Sequence, residues 1–189
     1  MLRQLWGETY LIPADITGDE LLRYPDDGYT NEVYEGMLVK TMTTPGHAIT
    51  CQVLGLELGN YGRAMGFPDT RILQNALFDF TLPGVPKKTI LAPDIAVLRA
   101  NAPSGLNNVT HDVPMIAVEV VSPNQTLDEI RIKAATYRGA GVEEVWILDR
   151  NTRTAEIWNA QGQTHVTATQ PLTSALLPGF SVILDTLFA

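Results

Sequence analysis

Residues Met115–Lys133, MIAVEVVSPNQTLDEIRIK, decide how this chain folds. The opening run alternates as a strand does. Met115, Ala117, Glu119 and Val121 share one face, and Ile116, Val118 and Val120 share the other. Both faces are apolar except at Glu119, the pattern of a central strand covered on both sides. The period then changes to that of a helix, with Leu127, Ile130, Ala134 and Tyr137 on one face and a glycine stop at Gly139 and Gly141. A second apolar run, EEVWILD over 143–149, reads as another strand, with Trp146, Ile147 and Leu148 buried beside the strand of Glu119.

Glu119 is the anomaly. An unpaired carboxylate in an apolar interior costs several kcal/mol, so it needs a cation, a metal or a raised pKa. The plain alternative is a strand-end glutamate that reaches water. Asp94 lies in a similar run, TILAPDIAVLRA over 89–100, directly after Pro93. Alone, Pro-Asp also reads as the start of a turn. Two carboxylates on neighbouring apolar strands repel unless a divalent cation lies between them, and oxygen donors of this kind suit Mg²⁺. Lys133 sits at the border of the apolar helix face, beside Tyr137 at i+4. There it can snorkel to water, or turn inward over the strand end towards Glu119 to orient water and offset charge on a phosphate.

The remaining chain predicts a mixed α/β domain. ITGDELLRYP has a helix cap at Thr17 with Glu20 completing a capping box, and Pro25 ends it. NEVYEGMLVKT reads as extended structure bent at Gly36, and Pro45 opens a long helix weakened by Gly59 and Gly62. TRILQNALFDFTL and TILAPDIAVLRA read as two strands joined by Pro/Gly punctuation. Residues 100–114 read as a polar loop, TAEIWNAQGQTHVTAT as a hairpin, and LLPGFSVILDTLF as the close of the chain. With no repeat or linker over 189 residues, the expectation is one domain, 1–189, with a mixed central β-sheet flanked by helices and a β-hairpin extension.

Composition narrows the function. A hydrophobic content of 45% with 18% charged residues is that of an ordinary folded chain, and the net charge of −8 means that nucleic acid binding needs a local basic patch. The single cysteine, Cys51, excludes an intramolecular disulfide and a cysteine zinc cluster, which suits the cytoplasm. Buried free cysteine usually behaves as a small hydrophobe, the alternative here being a catalytic thiol. No apolar run approaches the ~20 residues that span a bilayer, so no membrane association is expected.

The combination of APDIAVL, MIAVEVVSPNQTLDEIRIKAATYRGAGVEEVWILD, NEVYEGMLVK, PGHA and LLPGFSVIL resembles the Uma-two family of restriction-endonuclease-like proteins, within the PD-(D/E)XK nuclease superfamily. The resemblance runs from about Thr17 to Phe188. It implies that Asp94 is the aspartate of the PD motif and a metal ligand, that Glu119 is the second acidic ligand, and that the bound ion is Mg²⁺ or Mn²⁺. The superfamily usually carries its lysine two residues after the acid, where this chain has Val121; the family's lysine corresponds to Lys133. Glu32 and His47 match a glutamate and a histidine that line the cleft or support it. His111 and His165 match nothing in the family and read as surface residues.

The function so implied is a metal-dependent endonuclease acting on nucleic acid, DNA in the first instance, as a homodimer. The alternative is a catalytically inactive nuclease-fold domain that serves as a nucleic-acid or protein interaction module. If Lys133 replaces the strand lysine, its ammonium should lie within a few ångströms of Glu119. Lys133→Met should then abolish turnover while leaving folding nearly intact, because the stem's packing is kept.

Overall fold

In the computed structural model, residues 7–12, 16–25, 27–68, 71–99, 109–123 and 125–188 are described. The polar loop expected over 100–114 lies for the most part outside them. In chain order the elements are β1 (Glu8–Leu11), α1 (Gly18–Leu21), β2 (Thr30–Tyr34), β3 (Met37–Thr41), α2 (Pro45–Ala64), β4 (Ile72–Gln74), β5 (Phe78–Asp79), β6 (Ile90–Leu91) and β7 (Ile95–Val97). They continue with β8 (Ile116–Val121), α3 (Leu127–Gly139), β9 (Glu144–Asp149), β10 (Thr154–Asn159), β11 (Gly162–Thr167), β12 (Pro171–Thr173), β13 (Ser181–Ile183) and a 3₁₀ turn at Leu184–Phe188.

The six-stranded sheet, ordered β11-β10-β9-β8-β7-β4, is mixed: β8 and β9 run parallel, with Glu119 beside Ile147, and the other pairs are antiparallel. Parallel neighbours need a crossover, and α3 supplies it. Thr126 caps α3 through a reciprocal capping box with Glu129. The β10–β11 hairpin extends this sheet at one edge.

Both faces of β8 are covered, as its alternation predicts, and each meets a different helix. Ile116, Val118 and Val120 pack with Cys51, Leu54 and Leu58 of α2, together with Trp146 and Leu148. Ala117 and Val121 pack with Ile130, Ala134 and Tyr137 of α3, together with Val145 and Ile147. Glu119 shares this second face, so the helix that carries Lys133 is the one that covers it.

A five-stranded antiparallel sheet, ordered β1-β3-β2-β6-β5, was not foreseen as a separate layer. Its β2–β3 turn uses Glu35 and Gly36, both at positive φ, which is why a glycine stands there. TILAPDIAVLRA is not one strand, as the sequence suggested, but two. Before Pro93, β6 pairs in the five-stranded sheet; after it, β7 pairs in the six-stranded one. Proline has no N–H for the ladder, so the break falls where the chain passes between sheets. TRILQNALFDFTL divides in the same way, β4 joining the six-stranded sheet and β5 the five-stranded one. Among the described residues no helix is long and apolar enough to cross a membrane.

Candidate active site

Asp94 stands at that passage. The antiparallel register pairs Ile95 with Val118, and one further step sets Asp94 opposite Glu119. β7 ends here, so the Val120 N–H has lost its strand partner, and Asp94 Oδ2 accepts it at 2.7 Å. The same oxygen lies 3.0 Å from His47 Nε2, which the first turn of α2 presents after its Thr44 cap. Asp94 Oδ1 makes no hydrogen bond to a described residue.

Glu119 is held by α3. Tyr137 Oη donates to its Oε1 at 2.6 Å, and Lys133 Nζ lies 2.9 Å from Oε1 and 3.0 Å from Oε2. Lys133 also pairs with Glu32 Oε1 at 3.0 Å. Glu32, on β2, accepts the Ala92 N–H at 2.8 Å and so fixes the chain immediately before Pro93. Lys133 therefore does not snorkel to water. It is 4% exposed, beside Glu119 at 3% and Glu32 at 1%.

Burial alone would push the Lys133 pKa down, but the Glu119, Glu32 and Asp94 carboxylates hold it well above the ordinary lysine value. The ammonium stays charged. Burial outweighs the Lys133 ammonium, and with the Asp94 and Glu32 carboxylates beside it holds the Glu119 carboxyl above its ordinary value, at about 8. Lys133 and Tyr137 nevertheless set donors on both of its oxygens, an arrangement that serves the ionised form once a further cation offsets the crowding of acids. Burial and then Glu119 push Tyr137 up, so it remains a phenol that donates. His47 is lowered by burial and raised by Asp94, and Asp94 prevails.

Glu32, His47, Asp94, Glu119 and Lys133 all line one cavity of about 20 Å³, with Ser122 and Gln125 at its side. That is room for one water or small ion, since a water needs about 10–15 Å³ by the same measure. The expected residues thus come together in one place. Tyr137 and Cys51 were read as packing groups, yet one donates to Glu119 and the other sets its Sγ 3.6 Å from His47 Nδ1. Tyr137 lies at i+4 from Lys133, a spacing that announced their adjacency though not the shared acceptor. His111 and His165 are exposed and stand apart from the cavity.

No curated protein matches this chain. Among solved structures, the crystal structure of "a putative nuclease" from Anabaena variabilis is similar, with a TM-score of 0.72 at 17% identity. The match covers 92% of this chain and 97% of that one, and it establishes the shared fold. The Uma2 family model, described as "Putative restriction endonuclease", matches residues 19–186. By that match over most of its length, the chain belongs to the Uma2 family of restriction-endonuclease-like proteins.

Proposed function

We propose that this chain is a divalent-metal-dependent endonuclease of the PD-(D/E)XK type, with Asp94 and Glu119 as metal ligands and Lys133 as the catalytic cation. One observation carries the reading: three buried carboxylates, Glu32, Asp94 and Glu119, share an ion-sized cavity with a single ammonium. Asp94 and Glu32 help to push the Glu119 carboxyl up, and a bound cation would relieve that crowding and favour its ionised form. The donor set fits Mg²⁺ or Mn²⁺, which take carboxylate oxygens and keep positions for water and phosphate. When bound, such an ion supplies Lewis-acid stabilisation of charge on the phosphate.

The chain's own residues do the positioning. Tyr137 and Lys133 fix Glu119, while the Val120 N–H and His47 fix Asp94, so both carboxylates are oriented before substrate arrives. Because its neighbours keep Lys133 protonated, it acts as a hydrogen-bond donor and positive charge. It is not the acceptor of the attacking water's proton, which passes to bulk water. Its place is to offset charge as the water oxygen forms a bond to phosphorus and the leaving oxygen departs. Glu32 anchors that ammonium from the other sheet.

The reading takes DNA as substrate, in line with the family's description, and a homodimer, because cutting two strands calls for two sites. A cytoplasmic chain suits its lone, unpaired cysteine. A second reading, a binding module without turnover, is favoured by the surface charge. Lys88, Arg99, Arg131 and Arg153 are engaged by carboxylates of the chain, which lessens the positive charge they offer to phosphates. Incubation with labelled single- and double-stranded DNA and RNA in Mn²⁺ separates the two. Cleavage by wild type, abolished by chelator and absent from identically purified Asp94→Ala, is the expected result. Binding without cleavage, or equal cleavage by Asp94→Ala, overturns the endonuclease.

A further inference from the structure

Behind Asp94 lies a ligand set of different chemistry. His47 and Cys51 are one helical turn apart on the same face of α2, and both point to the side where Asp94 enters. One ligand atom from each of His47, Cys51 and Asp94 can be chosen so that all three lie within 4.8 Å of one another. The present contacts use the two ring nitrogens separately, 3.0 Å from His47 Nε2 to Asp94 Oδ2 and 3.6 Å from His47 Nδ1 to Cys51 Sγ. Around tetrahedral zinc, with bonds of about 2.0–2.3 Å, neighbouring ligand atoms stand roughly 3.3–3.8 Å apart. One ring nitrogen serves one ion, so closing the set takes a turn of the imidazole and a contraction of up to about an ångström from the 4.8 Å limit.

We propose that His47, Cys51 and Asp94 form a second cation site, for a thiophilic divalent ion of the Zn²⁺ class, which shares Asp94 with the carboxylate site. Three protein ligands of mixed nitrogen, sulfur and oxygen character, with a fourth position open, are a zinc-type set rather than a magnesium-type one. The sulfur decides the selectivity, since Mg²⁺ does not take thiolate. A core hydrophobe would serve Cys51's packing against Leu54 and Leu58 equally well, but would not set a sulfur against the imidazole. On binding, the Sγ proton leaves to solvent and the thiolate takes the ion; His47 binds as the neutral imidazole. Two divalent cations on one carboxylate would divide its charge and repel each other, so zinc binding and Mg²⁺ or Mn²⁺ binding are mutually antagonistic. That antagonism rests on the nuclease reading, whereas the zinc site itself does not.

Cobalt(II) titration of the full chain tests the site without any turnover. The expected result is one equivalent bound with a thiolate-to-cobalt charge-transfer band, displaced by Zn²⁺ and lost in Cys51→Ala. Cys51 is the only cysteine, so the band identifies its ligand in wild type even if that variant fails to fold. Absence of the band, or the same spectrum in folded Cys51→Ala, overturns the site. Electron paramagnetic resonance of bound Mn²⁺ tests the antagonism: one equivalent of Zn²⁺ should release Mn²⁺ from wild type. Both ions bound together overturns the antagonism. Failure of Mn²⁺ to bind at all overturns the nuclease reading, while the cobalt band still decides the zinc site.

Discussion

Lys133 Nζ lies within 3.0 Å of both oxygens of Glu119 and of Glu32 Oε1, so one buried ammonium holds two strands of different sheets to α3. This changes the consequence of removing it. The sequence reading expected Lys133→Met to leave folding nearly intact, because methionine keeps the stem's packing. With two carboxylates left buried and uncompensated, the loss should instead be about 3–5 kcal/mol. Chemical denaturation checks it, and Glu119→Gln in the same chain should recover a large part of the loss.

Tyr137 gives a cleaner test of the network. Tyr137→Phe keeps the ring, which packs against Phe80, and removes only the donor to Glu119 Oε1. A buried acceptor that loses one donor costs about 1–3 kcal/mol. The unfolding midpoint should fall with the slope unchanged.

Asp79 sets an acid limit on stability. Burial pushes its carboxyl up, but hydrogen bonds from Thr81 and the Lys88 ammonium outweigh that and hold it below the ordinary value of 3.8. Exposed His111 lies 3.6 Å away and adds a cation when protonated. A carboxylate whose folded pKa is depressed contributes stability that is present above its unfolded pKa and lost as pH falls through the folded one. Wild type should therefore exceed Asp79→Asn in stability near neutral pH, and the difference should shrink below about pH 4. Denaturant midpoints measured across that range check the sign.

Much of the fold was legible because one period dominates each element. The two-residue alternation of Ile116–Val121 fixed which side chains share a face and that both faces would be covered, but not that α2 covers one and α3 the face of Glu119. The meeting of Lys133 with Glu119 was legible mainly through the family resemblance, since a helical wheel leaves a border lysine free to point either way. Pro93 marked a restricted backbone without revealing that the chain changes sheets there. That depends on Val33 pairing with Ile90, a contact distant in sequence. Tyr137 was counted into an apolar stripe because its ring packs as a hydrophobe, and the hydroxyl's acceptor lies on another element. Glu32's bond to the Ala92 N–H spans 60 residues and has no local signal.

Calorimetric titration of Mn²⁺ into purified protein tests the central claim most directly, that Asp94 and Glu119 form a cation site. Saturable binding near one equivalent by wild type, lost in both Asp94→Ala and Glu119→Gln, is the predicted result. Negligible binding by wild type, or equal binding by wild type and the two variants, would contradict it.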